Sequence, residues 1–397
     1  MNDAVSRIYA SGGDHKSQLE QLAELLKTVY NGDAPQSTDV TVLTNLVEAV
    51  VNKETGSLVV SRQFLGLIDQ ALEERPPTSQ KLIEIVNSVL NVTQSRAISY
   101  EDQVTSLRLK LSHALETERR WCEAASALLA INLESSQRSH SSSFKMEMYL
   151  RMGQLYLEGD ATDDAESSAT RASLLQAEAK DEELNIEHKA LMARVLDRRR
   201  RFIEAAQRYY ELSQCAVVPS SDQLHAISAA MTCTILAAPG TQRTRLLAKL
   251  RKEERAKAIP SYTLLEKLFL ERLIKVDELL DFEKDLKTWQ RNFDNGQSII
   301  RGVMVEHNMT AVGQVYSNID LTTLAALLGV NEQEAERVAA QMISSDRLKG
   351  NIDQIGRYLH FAEKTAIEMW DDQIELFCRQ VERAAEMIIA RHPELDI

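Results

Sequence analysis

Apolar positions recur three and four residues apart along most of this chain, the spacing that gathers them on one face of an α-helix. Leu19, Leu22, Ala23, Leu26 and Val29 predict a first helix over Ser17–Tyr30. Asn31, Gly32, Asp33 and Pro35 mark a loop, and further helices are predicted over Val40–Asn52 and Ser61–Glu74 before Pro76–Pro77 breaks the chain. Ser79 reads as the N-cap of a helix ending near Val92. No proline occurs between Pro77 and Pro219, so that stretch reads as consecutive helices.

From about residue 100 the pattern repeats. Trp121-Cys122-Glu123-Ala124-Ala125, Asp163-Asp164-Ala165-Glu166 and Phe202-Ile203-Glu204-Ala205-Ala206 bring an alanine back every 40 residues or so, at Ala124, Ala165 and Ala205. Each alanine opens a helix that follows another helix. In the middle unit Tyr149, Met152, Gly153, Tyr156, Ala165 and Ala172 hold the spacings of a tetratricopeptide-type hairpin, in which small residues let paired helices approach closely. A period of this size predicts a helical solenoid whose units bury their faces against their neighbours. A helix pair near Asp222–Leu236 and Thr241–Ala258 continues the array.

After about Gly302 the pattern changes. Asp320 is placed to cap a helix carrying Leu321, Leu324, Ala325 and Leu328, and Gly329 takes the C-terminal cap position. Asn331 and Glu334 have the spacing of a capping box, opening a helix with Ala335, Val338, Ala339, Met342 and Ile343 inward. Leu348–Asp353 and Arg357–Ala362 alternate around Gln354-Ile355-Gly356, as the arms of a β-hairpin do. Helix, turn, helix and hairpin make a winged helix. A last helix is expected to start near Trp370, where Trp370, Ile374, Phe377, Val381, Ala384 and Ile388 alternate in steps of four and three. That apolar seam has two readings, an intramolecular packing stripe or insertion into a bundle of helices from several subunits. The second is favoured, because no further helix follows to cover a stripe carrying a Trp and a Phe.

The fold class expected is therefore all-α: an N-terminal helical-repeat arm over 1–195, a helical part over 196–300, a winged helix over 301–363, and a terminal bundle helix over 364–397.

Composition narrows function by exclusion. The 397 residues carry a net charge of −13, against the basic face of a phosphate binder. Asn331–Arg347, the helix that a winged helix would lay in a DNA groove, is itself −2 from Glu332, Glu334, Glu336 and Asp346 against Arg337 and Arg347. No nucleic-acid partner is expected. Four scattered cysteines, Cys122, Cys215, Cys233 and Cys378, read as reduced intracellular thiols. No apolar run is long enough to span a bilayer and the N-terminus lacks a signal-peptide core, so a soluble protein of cytoplasm and nucleus, without a membrane partner, is expected.

No catalytic, cofactor or metal residues are expected either. The eight histidines are never closer than 27 residues, which excludes HExxH and His-x-His zinc pairs. Phosphate-binding glycine loops and a GxSxG elbow are absent.

Two surfaces compete with bland readings. The second arm of the hairpin, Arg357, Tyr358, Leu359, His360 and Phe361, offers an edge for strand addition by a neighbouring subunit. Arg198, Arg199, Arg200 and Arg201 form one basic run. Arg243, Arg245, Lys249, Arg251 and Lys252 belong to another, in which Arg243–Lys257 holds seven cations against two acids. The runs read either as solvated helix ends and faces or as a docking face for an acidic partner.

A helical arm running into a winged helix and a lone final helix resembles the PCI domain, shared by subunits of the proteasome lid, the COP9 signalosome and translation initiation factor three. Arg194-Val195-Leu196-Asp197 through Phe202-Ile203-Glu204-Ala205-Ala206-Gln207-Arg208-Tyr209 is similar to the signalosome's fourth-subunit family. So are Arg171-Ala172-Ser173-Leu174-Leu175-Gln176, Cys233-Thr234-Ile235-Leu236-Ala237, Val305-Glu306-His307-Asn308 and Ile352-Asp353-Gln354-Ile355. The resemblance implies a non-catalytic scaffold subunit whose partners are the other signalosome subunits, met through a PCI ring and a helical bundle. It also implies a complex that removes Nedd8 from cullin–RING ubiquitin ligases, with the N-terminal arm gripping that substrate. The alternatives are a scaffold subunit of the proteasome lid or, more remotely, a winged-helix nucleic-acid binder.

Overall fold

The computed structural model describes residues 15–30, 40–51, 58–74, 77–133, 140–291, 298–361 and 366–391. Two compact units divide at Val218/Pro219.

The first unit holds α1 (His15–Val29), α2 (Val40–Val51), α3 (Leu58–Glu74), α4 (Ser79–Thr93), α5 (Glu101–Thr117), α6 (Trp121–Leu129), α7 (Ser142–Glu158), α8 (Thr162–Ala179), α9 (Glu182–Arg198) and α10 (Phe202–Ser213). A division after residue 195 would cut α9, which packs on α10 within this unit. Ser79 is the first helical residue; Thr78 is the N-cap and makes no side-chain cap bond. The Ser79 hydroxyl instead accepts from Thr117 Oγ1 at 3.0 Å, tying α4 to α5.

The 40-residue alanine period has its physical reason in the packing. Ala124, Ala165 and Ala205 are each fully buried one turn into α6, α8 and α10. A methyl on Gly153 of α7 would stand 2.6 Å from Leu191 Cδ2 of α9. The turn before each of those alanine helices also repeats. Arg119, Asp160 and Arg200 adopt left-handed φ of 58°, 61° and 61°. The next amide in each case bonds back to the preceding helix: Arg120 N to Leu115 O at 2.9 Å, Ala161 N to Tyr156 O at 2.9 Å, and Arg201 N to Leu196 O at 3.0 Å. One hairpin geometry therefore recurs three times, and ion pairs between successive repeats, Arg151 with Glu116 at 3.0 Å and Arg194 with Glu158 at 2.6 Å, decorate it. Pairs this exposed contribute little to stability; the alanines set the spacing.

The second unit starts with α11 (Ser220–Leu236) and α12 (Thr241–Lys252), then a 3₁₀ turn over Glu254–Ala258 where the sequence suggested helix. α13 (Tyr262–Phe269), α14 (Val276–Asp285), the short α15 (Thr288–Arg291) and α16 (Ile299–Val315) follow. Next come β1 (Asn318–Asp320), α17 (Leu321–Leu328), α18 (Glu332–Ser344), β2 (Asn351–Asp353) and β3 (Tyr358–His360), and finally α19 (Ala366–Arg391). Gly329 takes the left-handed cap conformation expected of it. Asn331 and Asp320 occupy N-cap positions, yet neither side chain bonds its helix's amides; Asp320 accepts from Thr322 Oγ1 instead.

The winged helix closes around Leu359, fully buried on β3 and flanked by Ile319 of β1 and Ile352 of β2 in antiparallel register. Gly350 is fixed by close approach: a Cβ there would lie 2.5 Å from the backbone oxygen of His360. Gly350→Ala should therefore cost about 1–3 kcal/mol, because a backbone atom inside a ladder cannot step aside. Gly66→Ala is the control. It has no atom within 4 Å of the new methyl and sits inside α3, where alanine is neutral to stabilising. Equal urea midpoints for the two variants would contradict this reading.

Candidate functional site

The quoted stretch Val305-Glu306-His307-Asn308 lies in α16, whose buried residues run almost all round the helix. Two polar side chains in so apolar a helix need partners, and both find the connection between α13 and α14. His307 Nε2 meets Arg272 O at 3.0 Å. Asn308 Oδ1 accepts from Ile274 N and its Nδ2 donates to Ile274 O, each at 3.0 Å, so one amide side chain completes a backbone bridge. Glu306 points the other way and takes Arg347, just past α18, through Nη1–Oε2 at 2.6 Å and Nη2–Oε1 at 3.2 Å. These three consecutive residues fasten a connecting segment and the winged helix to one helix. A polar pair in an apolar helix was the available sequence signal; the partners, over 30 residues away, were not readable.

Arg243, expected on a basic docking face, is instead buried at 4% exposure. Its Nε donates to Thr234 O at 3.0 Å and its Nη2 to Ile235 O at 2.9 Å, satisfying carbonyls at the C-terminal end of α11. Burial pushes its pKa down to about 10, partly offset by Glu306, so it stays charged at neutral pH. Arg251 is half-buried over the Phe269 ring, 4.7 Å from the centroid. Arg245, Lys249 and Lys252 remain exposed along one stripe of α12. The other run is largely spent inside the first unit. Arg198 pairs with Asp160, Arg199 with Asp163 and with Glu166 at 2.6 Å, and Arg201 with Glu204 at 2.7 Å, while Arg200 forms the left-handed turn.

The wing edge also needs correction. The sheet order is β1-β3-β2, so Tyr358, Leu359 and His360 form the central strand and have no free edge for a visiting strand. Arg357 O is taken by Leu321 N at 3.0 Å and Phe361 N donates to Ser317 O at 2.8 Å. The edges belong to β1, three residues that run straight into a helix with no alternation to announce them, and to β2. At the hairpin tip Asp353 Oδ1 accepts from Ile355 N and Gly356 N, each at 3.0 Å, and holds Ile355 almost wholly in solvent.

The terminal seam is on α19. Trp370, Ile374, Phe377 and Val381 are 71%, 53%, 65% and 51% exposed. Ala384 is exposed as well, and the side chain of Ile388 lies outside the described residues.

Among the described residues no group of three or more His, Cys, Asp and Glu is placed to hold a metal ion, and no helix is long and apolar enough to cross a membrane. The titratable groups that depart most clearly in the interior are packing residues. Burial holds His307 below the usual imidazole range against the pull of the Arg272 carbonyl, with Arg243 adding to the lowering. His188, bonded to Ala169 O at 3.1 Å, is lowered for the same first reason. Both are neutral in the fold, so the unfolded chain takes up protons first as pH falls through about 6.5. Their stabilisation is complete above that value and declines below it. The urea midpoint should fall between about pH 7 and pH 5.5, and more gently in a His188→Gln/His307→Gln variant. An unchanged slope in that variant would rule these two residues out as the cause.

Comparison with known proteins follows the same division of the chain. Residues 4–221 match the family model described as PSMD12/CSN4, N-terminal, and residues 279–363 match the PCI domain. Over 396 residues the chain is 42% identical to COP9 signalosome complex subunit 4 of Caenorhabditis elegans, covering 98% of this chain and 96% of the relative. The protein of that name in Drosophila melanogaster is 40% identical, with 96% and 93% covered. The Arabidopsis thaliana protein is 34% identical, with 96% of each chain covered.

Proposed function

The chain belongs to the COP9 signalosome subunit 4 family, and from that premise we propose that it is a non-catalytic scaffold through which the signalosome removes Nedd8 from cullin–RING ubiquitin ligases. It is a signalosome subunit by kinship over nearly its whole length. The observation that carries the scaffold reading is the open apolar seam of α19, where a Trp and a Phe stand more than 60% exposed. Burying such a stripe between subunits is what an assembly helix does. The outer edge of β2 and the exposed Ile355 offer a second contact for a sister subunit. In this reading the helical-repeat unit holds the ligase, and the complex works in cytoplasm and nucleus.

The test is affinity purification of the tagged chain from its native cells beside a version ending at Lys364. The intact chain should recover signalosome subunits and an activity that strips Nedd8 from cullin; the shortened one should lose both. Recovery of proteasome-lid subunits, or of nothing stable, by the intact chain would overturn the reading.

A further inference from the structure

We propose that the groove formed by the end of α6, α7 and α8 is a docking site for an extended peptide segment in which carboxylates flank a large apolar side chain. This goes beyond the scaffold reading, since it assigns the arm a recognition site of its own. The groove encloses about 570 Å³, within the range of ligand-binding clefts. Its floor is Tyr149 and Met152 of α7, both buried. Leu129 of α6 and Leu174 of α8 flank it at 52% and 76% exposure, so two large side chains meet solvent where the repeat packing has no use for them.

Charge then selects the occupant. Among the described residues Lys145 and Arg171 line the groove and no carboxylate does, on a chain whose net charge is −13. The other cation on these helices, Arg151 of α7, is paired with Glu116. Glu178, further along α8, is engaged by Ser142 Oγ at 2.9 Å and does not line the groove. Among the described residues neither Lys145 nor Arg171 has an ion-pair or side-chain hydrogen-bond partner. An apolar trough with two such cations is complementary to an acidic, apolar peptide and repels a basic one.

The experiment uses the full chain and a short fluorescent peptide alternating Glu with Leu and Phe, read by anisotropy against the same peptide with Lys for Glu. The acidic peptide should bind and the basic one should not. A Lys145→Glu/Arg171→Glu variant, shown by circular dichroism and unfolding midpoint to keep its fold, should bind at least about tenfold more weakly. Raised salt should weaken the wild-type binding as well. Leu174→Ser, which removes an exposed side chain and no core contact, should also weaken it. Three outcomes overturn the proposal: no binding of the acidic peptide, equal binding by the charge-reversed variant, or self-association of the wild-type chain that the reversals abolish without any preference for acidic peptide. The last would give the groove to a second copy.

Discussion

A Trp370→Glu/Phe377→Glu chain is expected to purify alone, while its own unfolding midpoint stays where it was. The two halves of that result come from the same numbers. Trp370 is 71% and Phe377 65% exposed, so neither has much packing to lose in the free chain. Exposed substitutions of that kind stay within about 0.5 kcal/mol. In an interface the same residues are the types that dominate binding, each worth about 2 kcal/mol or more, and a buried unpaired carboxylate adds its own cost. Together that is at least about 4 kcal/mol, close to a thousandfold in Kd. The measurement is co-purification with scanning fluorimetry on the same preparations. Partners retained at wild-type level would remove the seam from the assembly argument. A lowered midpoint would mean that the stripe packs within the chain. Arg379→Ala, which breaks an exposed pair with Glu375 on the same helix, is the control and should change neither readout.

The terminal seam was legible because a stripe of period 3.5 needs no knowledge of the rest of the molecule. The alanine period of the repeats was legible for the same reason. What makes the repeats turn was not: the left-handed positions are Arg119, Asp160 and Arg200, and only the aspartate is a type that favours that conformation. Selection for close helix approach shows in the alanines, whereas the backbone conformation is imposed by the helices on either side. The wing shows a similar limit. Alternation located Leu359 and Ile352, but strand order is a long-range property. Once β1 joins β3 by pairing Ile319 with Leu359, the supposed edge becomes the centre of the sheet. Charge misled most at Arg243. A cation in a basic run reads as surface by default, and only the orphan carbonyls of Thr234 and Ile235, which it satisfies, explain why it is inside. One of the quoted motifs that carried the family resemblance is accordingly packing throughout: Cys233, Thr234, Ile235 and Leu236 are all buried.

Val305-Glu306-His307-Asn308 allows a graded test of that last point, because three adjacent side chains make three kinds of bond. Glu306→Gln weakens a half-exposed ion pair with Arg347 and should cost no more than about 1 kcal/mol. His307→Ala loses one bond to the Arg272 carbonyl together with buried packing, an intermediate case of about 1–3 kcal/mol. Asn308→Leu is the severe one. It keeps the volume roughly constant but strands both the amide and the carbonyl of Ile274, at a position where Asn308 and Ile274 are each about 5% exposed or less. Leaving a buried polar group unpaired costs about 1–3 kcal/mol, so two should cost about 2–6 kcal/mol. For a unit of this size that lowers Tm by roughly 10 °C. Hydrogen exchange should then rise first at residues 270–276, because that connection loses its anchor while the helices around it keep their own bonds. Asn308→Asp keeps the acceptor for Ile274 N, but its ionised form loses the donor to Ile274 O and sets a carboxylate against that carbonyl, so it should be less stable than the parent, and the deficit should shrink at a pH where the carboxyl is neutral and its O–H can donate. If all three positions cost the same, the hydrogen-bond geometry of α16 is not what holds the connection. If Asn308→Leu costs less than about 1 kcal/mol, Ile274 has found other partners and the clamp is not structural.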